Sequence, residues 1–429
     1  MACLLLYITA STDKYDQIMY NQKERTLTTM REVVIVDGMR TAFGRMGGGF
    51  RNMTATQLAG TTIKGLCEKT KILEKGKVDA VFAGSAFGDI ASNNFARYSA
   101  LTAGLPYDTS ATFIEMQCGS AIAAINAAAL QIGEGMIDTA VVGGAETYSQ
   151  AYVKFPTSIE PYKTIAPAAV PWALSPVKED AISMIEVSDR MAKMWNITRE
   201  ECDAFSLRSQ QRAAAAIEKG YFKDEILPVE VKYSKKADPV IIDTDEHPRA
   251  NTTLEGLAKL KAVNEGGVTT AGNASGRNDG AAFILMMSAD KAKELGYKPL
   301  ARWVWGADAG VDPKIMGIGP VYSNIKILKK MGLKMNDIDI YECNEAFAAQ
   351  NLAVIKEMEN QTGEKMNMEN WNPNGGAIAF GHPNGASGAR VCIFTMKELI
   401  RKGGKYGMFS SCCGGGLGVS CLIENIYED

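Results

Sequence analysis

The chain has 429 residues, 46% of them hydrophobic and 22% charged, and a formal net charge of −3. That length allows about two or three units with buried cores, in a composition ordinary for a globular protein. The near-neutral balance excludes binding to nucleic acid through the overall field, so an anionic ligand must be met by local basic residues.

At the N-terminus, residues 1–30 read as an extension outside the folded core. Its apolar run (Leu4, Leu5, Leu6, Tyr7, Ile8) is too short to span a bilayer, and no positive charges precede it as in a signal peptide. Nine scattered cysteines then read as reduced thiols of a cytoplasmic protein. Only two histidines are present, His247 and His382, and no paired CxxC or HxxxH spacing offers a metal site.

From Arg31 onward short apolar runs alternate with amphipathic stretches, the pattern of an α/β protein. Strands are predicted over residues 33–36, 80–82, 139–142, 283–287, 302–306, 338–341 and 419–423. Helices are predicted over 54–69, 120–132, 199–219, 323–331, 345–358 and 389–401. Residues 78–87 and 338–347 echo each other: an Asp turn, a short buried strand, a polar corner, then Ala-Phe. The echo points to two related halves rather than a short-period solenoid. Between them, prolines 156, 161, 167, 171 and 176 interrupt regular structure ahead of a charged helical hairpin. The expected division is a first half over 31–150, completed by 272–300, a cap over 151–271, and a second half over 301–429.

Four places carry chemistry. Cys118 follows a strand and precedes an Ala-rich helix. Unpaired N–H groups at the helix start would there stabilise a thiolate, although a buried small residue is the commoner use of such a cysteine. Asn344 lies at a strand-to-helix corner, where capping alone would account for it. His382 sits among the glycines of residues 375–388, which predict tight turns and close approach of backbone to a ligand. Cys412 opens the run Cys413-Gly414-Gly415-Gly416, able to bring a thiol and backbone donors to one point.

In order and spacing, Cys118-Gly119-Ser120, Asn344-Glu345-Ala346-Phe347, Gly381-His382-Pro383-Asn384-Gly385-Ala386-Ser387-Gly388 and Cys412-Cys413-Gly414-Gly415-Gly416-Leu417-Gly418 resemble the thiolase family. The resemblance runs from about Arg31 to the C-terminus and includes Gly272-Asn273-Ala274-Ser275-Gly276 and Asp245-Glu246-His247-Pro248-Arg249. It implies a five-layered αβαβα thiolase fold of two similar halves, with the inserted cap as a loop domain over a coenzyme A site. The implied activity is acyl transfer between coenzyme A and an acyl-CoA, with reversible carbon–carbon cleavage of a 3-oxoacyl-CoA. Coenzyme A is then a substrate, with no permanently bound cofactor and no metal.

Residue by residue, the resemblance makes Cys118 the nucleophile that carries the acyl group and His382 the group that takes its proton. Asn344 would hold a water that, with His382, forms one oxyanion hole. The N–H groups of Cys118 and Gly414 would form the other, and Cys412 would move the proton at the α-carbon. Ser275 is implied at the pantetheine arm and Arg249 at the adenine end. Other condensing enzymes of the fold pair one Cys with two His or with His and Asn, so Cys412 separates this chain from them. A thiolase-fold protein that binds acyl-CoA or lipid without catalysis is the alternative from another class. The resemblance also implies a homodimer or tetramer, and it admits a small zinc-ribbon/OB-fold partner subunit.

One departure bears on the substrate. Short-chain thiolases carry Met-Ser-x-Ala-Pro-His after the strand that here ends Gly143-Gly144-Ala145-Glu146, and this chain has no His there. A longer insertion bearing Tyr152, Phe155, Tyr162 and Trp172 follows instead. The expectation is a larger or more apolar acyl pocket for bulkier 3-oxoacyl groups, aryl-bearing ones included. The competing expectation is that these aromatics serve an oligomer interface.

Overall fold

The computed structural model describes residues 30–90, 92–156, 161–162 and 173–428, so residues 1–29 of the N-terminal extension and Trp172 lie outside the described residues. Five strands form a first sheet: β1 (Val33–Thr41), β2 (Ala80–Gly84), β3 (Ser110–Ile114), β4 (Thr139–Glu146) and β5 (Asn278–Ser288). Their order is β3-β2-β4-β5-β1. Strands β3, β2 and β4 are parallel, and β5 runs antiparallel to both its neighbours. Every residue of β4 and β5 is buried, as continuous apolar runs demand when both faces of a sheet are covered.

A second set comprises β6 (Ala301–Gly310), β7 (Ile340–Cys343), β8 (Tyr406–Cys413) and β9 (Leu417–Asn425), in the order β7-β8-β9-β6. Here β7 and β8 are parallel and β9 is antiparallel to β8 and β6. Trp371 bridges Tyr341 in parallel at the open edge of β7, where β3 stands in the first sheet. Both sets therefore read 3-2-4-5-1 in order of appearance. The echoing decapeptides hold β2 and β7, the second strand of each half. The two sets also touch, since β1 and β6 pair antiparallel over three residues.

The helices repeat in step. In the first half they are α1 (Ala55–Thr70), α2 (Phe95–Thr102) and α3 (Ser120–Gly133). Then α4 (Met184–Met194) and α5 (Arg199–Glu218) form the inserted hairpin, each opened by a capping box. In the second half they are α6 (Gly319–Met331), α7 (Ala348–Thr362) and α8 (Asn384–Lys402). Helices α1 and α2 cover the outer face of the first sheet, and α6, backed by α7, covers that of the second. Helices α3 and α8 lie between the sheets, touching strands of both and each other. That makes five layers, α/β/α/β/α. The inner helices approach closely because their contact is made of small residues: a side-chain carbon at Gly388 would lie 2.7 Å from the backbone nitrogen of Ile122.

Candidate active site

Cys118 lies in a short 3₁₀ turn, Gln117–Gly119, between β3 and α3. Gln117 holds a left-handed φ of 47°, a conformation that costs a non-glycine residue roughly 1–3 kcal/mol and needs support. Glu115 gives that support: its Oε1 accepts both the backbone N–H and the side-chain amide of Gln117, each at 2.7 Å. The Ser120 hydroxyl donates to the Gln117 carbonyl at 2.7 Å and accepts from Met116 N at 2.9 Å. The strained turn leaves Cys118 half-buried, its sulfur accepting the N–H groups of Gly414 and of Cys118 itself.

Burial nevertheless pushes the Cys118 thiol up to about 12, against the pull of the Gly414 N–H and with the charge of Glu146 adding to the rise. Cys118 precedes α3 on a separate turn, so its sulfur meets two N–H groups rather than the open start of the helix, and these work against the loss of water.

Strand β8 delivers the second and third thiols. Successive residues of a strand point to opposite faces, and Cys412 and Cys413 do so. The Cys413 sulfur tucks against Gly119 and accepts its N–H. Cys412 shares the neighbourhood of Cys118 and Cys343. Both are fully buried, which drives their pKa values well above the ordinary thiol value. The turn after them uses φ values of 90° at Gly415 and Gly416, open in practice only to glycine. It brings Gly414 N–H back onto the Cys118 sulfur, while Ser411 Oγ donates to the Cys118 carbonyl at 3.3 Å.

His382 arrives from the second half. Gly381 takes a φ of 92°, and the His382 N–H then meets Asn278 Oδ1 at 3.1 Å. The ring Nδ1 lies 2.6 Å from Ser387 Oγ, whose one proton goes to the Pro383 carbonyl at 3.0 Å. With that proton on Pro383 O, Ser387 accepts from Nδ1–H, and the lone pair on Nε2 faces Asn344. Asn344 Nδ2 stands 3.4 Å from that Nε2. Burial, with the positive charge of Arg390 behind it, pulls His382 down to about 3, so it is a neutral base. Asn344 Oδ1 is buried without a partner, and a group in that position needs a donor. Helix α8 packs on the Gln117–Gly119 turn as well as on α3, so both halves meet at Cys118.

Known proteins resemble this chain over most of its length. Models of the thiolase N-terminal domain and the thiolase C-terminal domain match residues 33–290 and 297–425. Among similar proteins, the acetyl-CoA acetyltransferase of Syntrophomonas wolfei is 41% identical over 400 residues, covering 92% of this chain and 99% of that one. The beta-ketoadipyl-CoA thiolase of Acinetobacter baylyi is 41% identical over 406 residues, covering 92% of this chain and 100% of that one. The crystal structure of the Bacillus anthracis acetyl-CoA acetyltransferase superposes with a TM-score of 0.85 at 40% identity, over 93% of this chain and 100% of that one. The chain belongs to the thiolase family. It is an acyltransferase, and coenzyme A is its substrate rather than a resident cofactor.

The remaining predicted positions of this thiolase fall into two groups. The loop bearing Ser275 is laced to the Asn344 corner: Ser275 N–H donates to Ala346 O at 3.0 Å, and Ala348 N–H to Asn273 O at 2.9 Å. Arg249 is exposed, its backbone N–H fixed to Gln210 Oε1 at 2.8 Å. Two residues of its motif turn out to be structural. Asp245 is buried and bound twice by Arg40, at 2.7 and 2.9 Å, while Glu246 accepts from Arg45 N and Gly49 N. Arg40 also holds Glu225 at 2.7 Å, so one buried guanidinium pins the cap to the first half. Nothing in the sequence pattern singled out Arg40, which shares the first strand with Asp37 and Thr41.

Of the insertion's aromatics, Tyr152 donates to Phe87 O at 2.7 Å, whereas Phe155 and Tyr162 are exposed. Leu174 covers the glycine turn, its methyl carbons 3.0 Å from where a side chain on Gly414 would begin. Tyr152, Leu174, Gln117, Phe87, Phe113 and Lys154 help line a cavity of about 460 Å³. A larger recess of about 570 Å³, around Trp195 and Lys356, shares no residue with the site. Among the described residues no group of three or more His, Cys, Asp or Glu is arranged to hold a metal, and no helix is long and apolar enough to cross a membrane.

Proposed function

We propose that this thiolase works through an acyl-Cys118 intermediate and accepts 3-oxoacyl-CoA esters bulkier than acetoacetyl-CoA, aryl-substituted ones included. His382 Nε2 takes the Cys118 proton as the sulfur attacks the thioester carbonyl. The N–H groups of Cys118 and Gly414 meet the oxyanion, and a donor of this kind contributes about 3 kcal/mol or more. Asn344, with a water on its unpartnered Oδ1, and His382 hold the second thioester oxygen. Cys412 exchanges the α-carbon proton. The loop domain covers coenzyme A, with Ser275 at the pantetheine arm and Arg249 at the adenine end. The free cysteines suit a cytoplasmic enzyme.

The observation that carries the substrate reading is the cavity of about 460 Å³ whose wall includes Gln117, the residue before Cys118, although Cys118, His382 and Cys412 do not line it. The insertion supplies part of its wall through Tyr152 and Leu174. Sequence identity leaves the acyl group open, since the S. wolfei and A. baylyi proteins, named for different acyl substrates, are both 41% identical to this chain. The test is thiolysis of a graded 3-oxoacyl-CoA series. Efficiency is expected to rise beyond acetoacetyl-CoA, each accommodated methylene contributing about 1–3 kcal/mol at most. A profile that peaks at acetoacetyl-CoA ends the bulky-substrate reading.

A further inference from the structure

A fully buried carboxylate that the roles above leave unused joins the two halves next to the nucleophile. Glu146 ends β4. Its Oε1 accepts from Ser85 Oγ at 2.7 Å and Phe87 N at 3.4 Å, and its Oε2 from Ala86 N at 2.7 Å and Gly385 N at 3.1 Å. Three of these donors belong to the corner after β2. The fourth lies in the first turn of α8, three residues past His382. All four partners donate, and only an ionised carboxylate accepts from all of them. A negative charge also suits the start of a helix.

Packing cannot replace these bonds. A side chain at Gly144 would fall inside van der Waals contact with the carbonyl oxygens of Gly84 and Gly385, and one at Gly385 would lie 2.7 Å from Gly84 O. The ends of β2 and β4 and the start of α8 cross with bare backbone against bare backbone, so the carboxylate is the polar tie at that crossing.

We propose that Glu146, in its ionised form, is a positioning residue that ties the nucleophile half to the first turn of α8 and thereby sets His382 against Cys118. The proposal rests on the roles given above to those two residues. The ionisable groups facing Glu146 are few. Cys118 faces it from the turn before α3 and Tyr148 from two residues along its own chain. The corner after β2 and the start of α8 present Ser85 and N–H groups, and beyond them lies His382, which is neutral. On β5 its partner is Gly280, and the neighbouring Asp279 is engaged by Ser149 and Thr147.

Burial lifts Glu146 to about 7 against the pull of its donors. The carboxylate therefore exists above that pH and is lost as pH falls through it. In the protonated form the acid hydrogen must point at one of these partners; the three N–H groups cannot accept it, and Ser85 can do so only by reversing its own hydrogen bond, so at least one tie changes. Cys118 near 12 and His382 near 3 do not titrate in this range; Glu342, lifted by burial to about 8, lies on β7 beside Arg390, so the shift of the limb in the Glu146 and Ser85 variants identifies the part Glu146 plays.

The experiment compares wild type, Glu146→Gln and Ser85→Ala. It reads kcat and KM for thiolysis across pH, and the iodoacetamide labelling rate of Cys118. Wild type is expected to lose kcat below about pH 7. Glu146→Gln should lack that limb and lose roughly 10–10²-fold in kcat with little change in KM, the scale of a small misplacement of reacting groups. Its Cys118 should label faster above pH 7, because a negative charge that raises the thiol is gone; a merely structural lesion has no reason to speed labelling. Ser85→Ala keeps the charge and removes one donor, so its acid limb should move to higher pH. Glu146→Gln with wild-type kcat, limb and labelling overturns the proposal. Should that variant fail to fold, an unmoved limb in Ser85→Ala overturns it. Failure of Cys118 to label or acylate in the wild type would instead remove the catalytic reading beneath it.

Discussion

Replacing His382 with Asn keeps a group able to donate to Ser387 Oγ but removes the Nε2 lone pair. The consequence depends on the state of Cys118. With its thiol near 12, about one molecule in 10⁴ carries a thiolate at pH 8. On the proposed mechanism wild type escapes that limit by passing the proton to Nε2 during attack, whereas the variant must wait for the rare thiolate. Acylation should fall by about 10²–10⁴-fold at pH 8, the range expected when a general base is lost. The residual rate should climb about tenfold per pH unit, tracking the thiolate fraction. Coenzyme A release on mixing with acyl-CoA, with mass spectrometry of the Cys118 peptide, measures this between pH 6 and 10. A variant with a flat pH profile, or one within about tenfold of wild type, would show that the thiolate is preformed and the argument from burial wrong.

Cys412→Ser should still become acylated at Cys118 while thiolysis and α-proton exchange each drop by roughly 10²-fold, the scale of a lost acid/base group. Cys413→Ser should leave turnover little changed, since that sulfur faces Gly119; the opposite pattern would exchange the two assignments. Arg40→Met leaves Asp245 and Glu225 buried without their cation, for an expected loss of about 3–5 kcal/mol in urea unfolding. A loss under about 1 kcal/mol would mean that the cap is held by other contacts.

The corners of the molecule were legible because each imposes a local demand on the chain. Gly381, Gly415 and Gly416 sit at left-handed φ values, so the glycines around His382 and after Cys412 are fixed by backbone geometry. The echo between residues 78–87 and 338–347 survives because both halves need a buried second strand that ends in a polar corner. Helix limits were less legible where a residue serves two purposes. Helix α8 starts at Asn384, five residues before its predicted start, because Gly385 and Gly388 look like loop yet permit the contacts of α8 with β4 and α3. Helix α7 starts at Ala348, three residues after its predicted start. The Glu345 carboxylate is occupied there by Ser209, Asn372 and the Ile378 N–H, holding the corner open. The environment that shifts the Cys118 thiol was not legible at all. It depends on burial by β8 and on the charge of Glu146, neither of which is local to the Cys-Gly-Ser motif.

The duplicated fold explains why the site forms where it does. In each half the third crossing of the sheet ends in a turn that opens an inner helix: Cys118 ahead of α3 in the first, His382 ahead of α8 in the second. Because those helices pack between the sheets and α8 also rests on the Cys118 turn, the corresponding corners of the two halves are brought together. The fourth strands extend the comparison, β4 ending in Glu146 and β8 in Cys412 and Cys413. One topological position thus supplies a carboxylate tie in the first half and the thiols in the second. Beyond that strand the halves differ most. In the second, three glycines turn β8 directly into β9, which leaves Gly414 N–H facing the Cys118 sulfur. In the first, the chain leaves β4 for the cap and returns only at β5, so wall residues such as Tyr152 and Leu174 can vary without disturbing either sheet. On the proposed function, acyl specificity is therefore free to change where the duplication is broken, while the proposed acyl-transfer groups stay where it is kept.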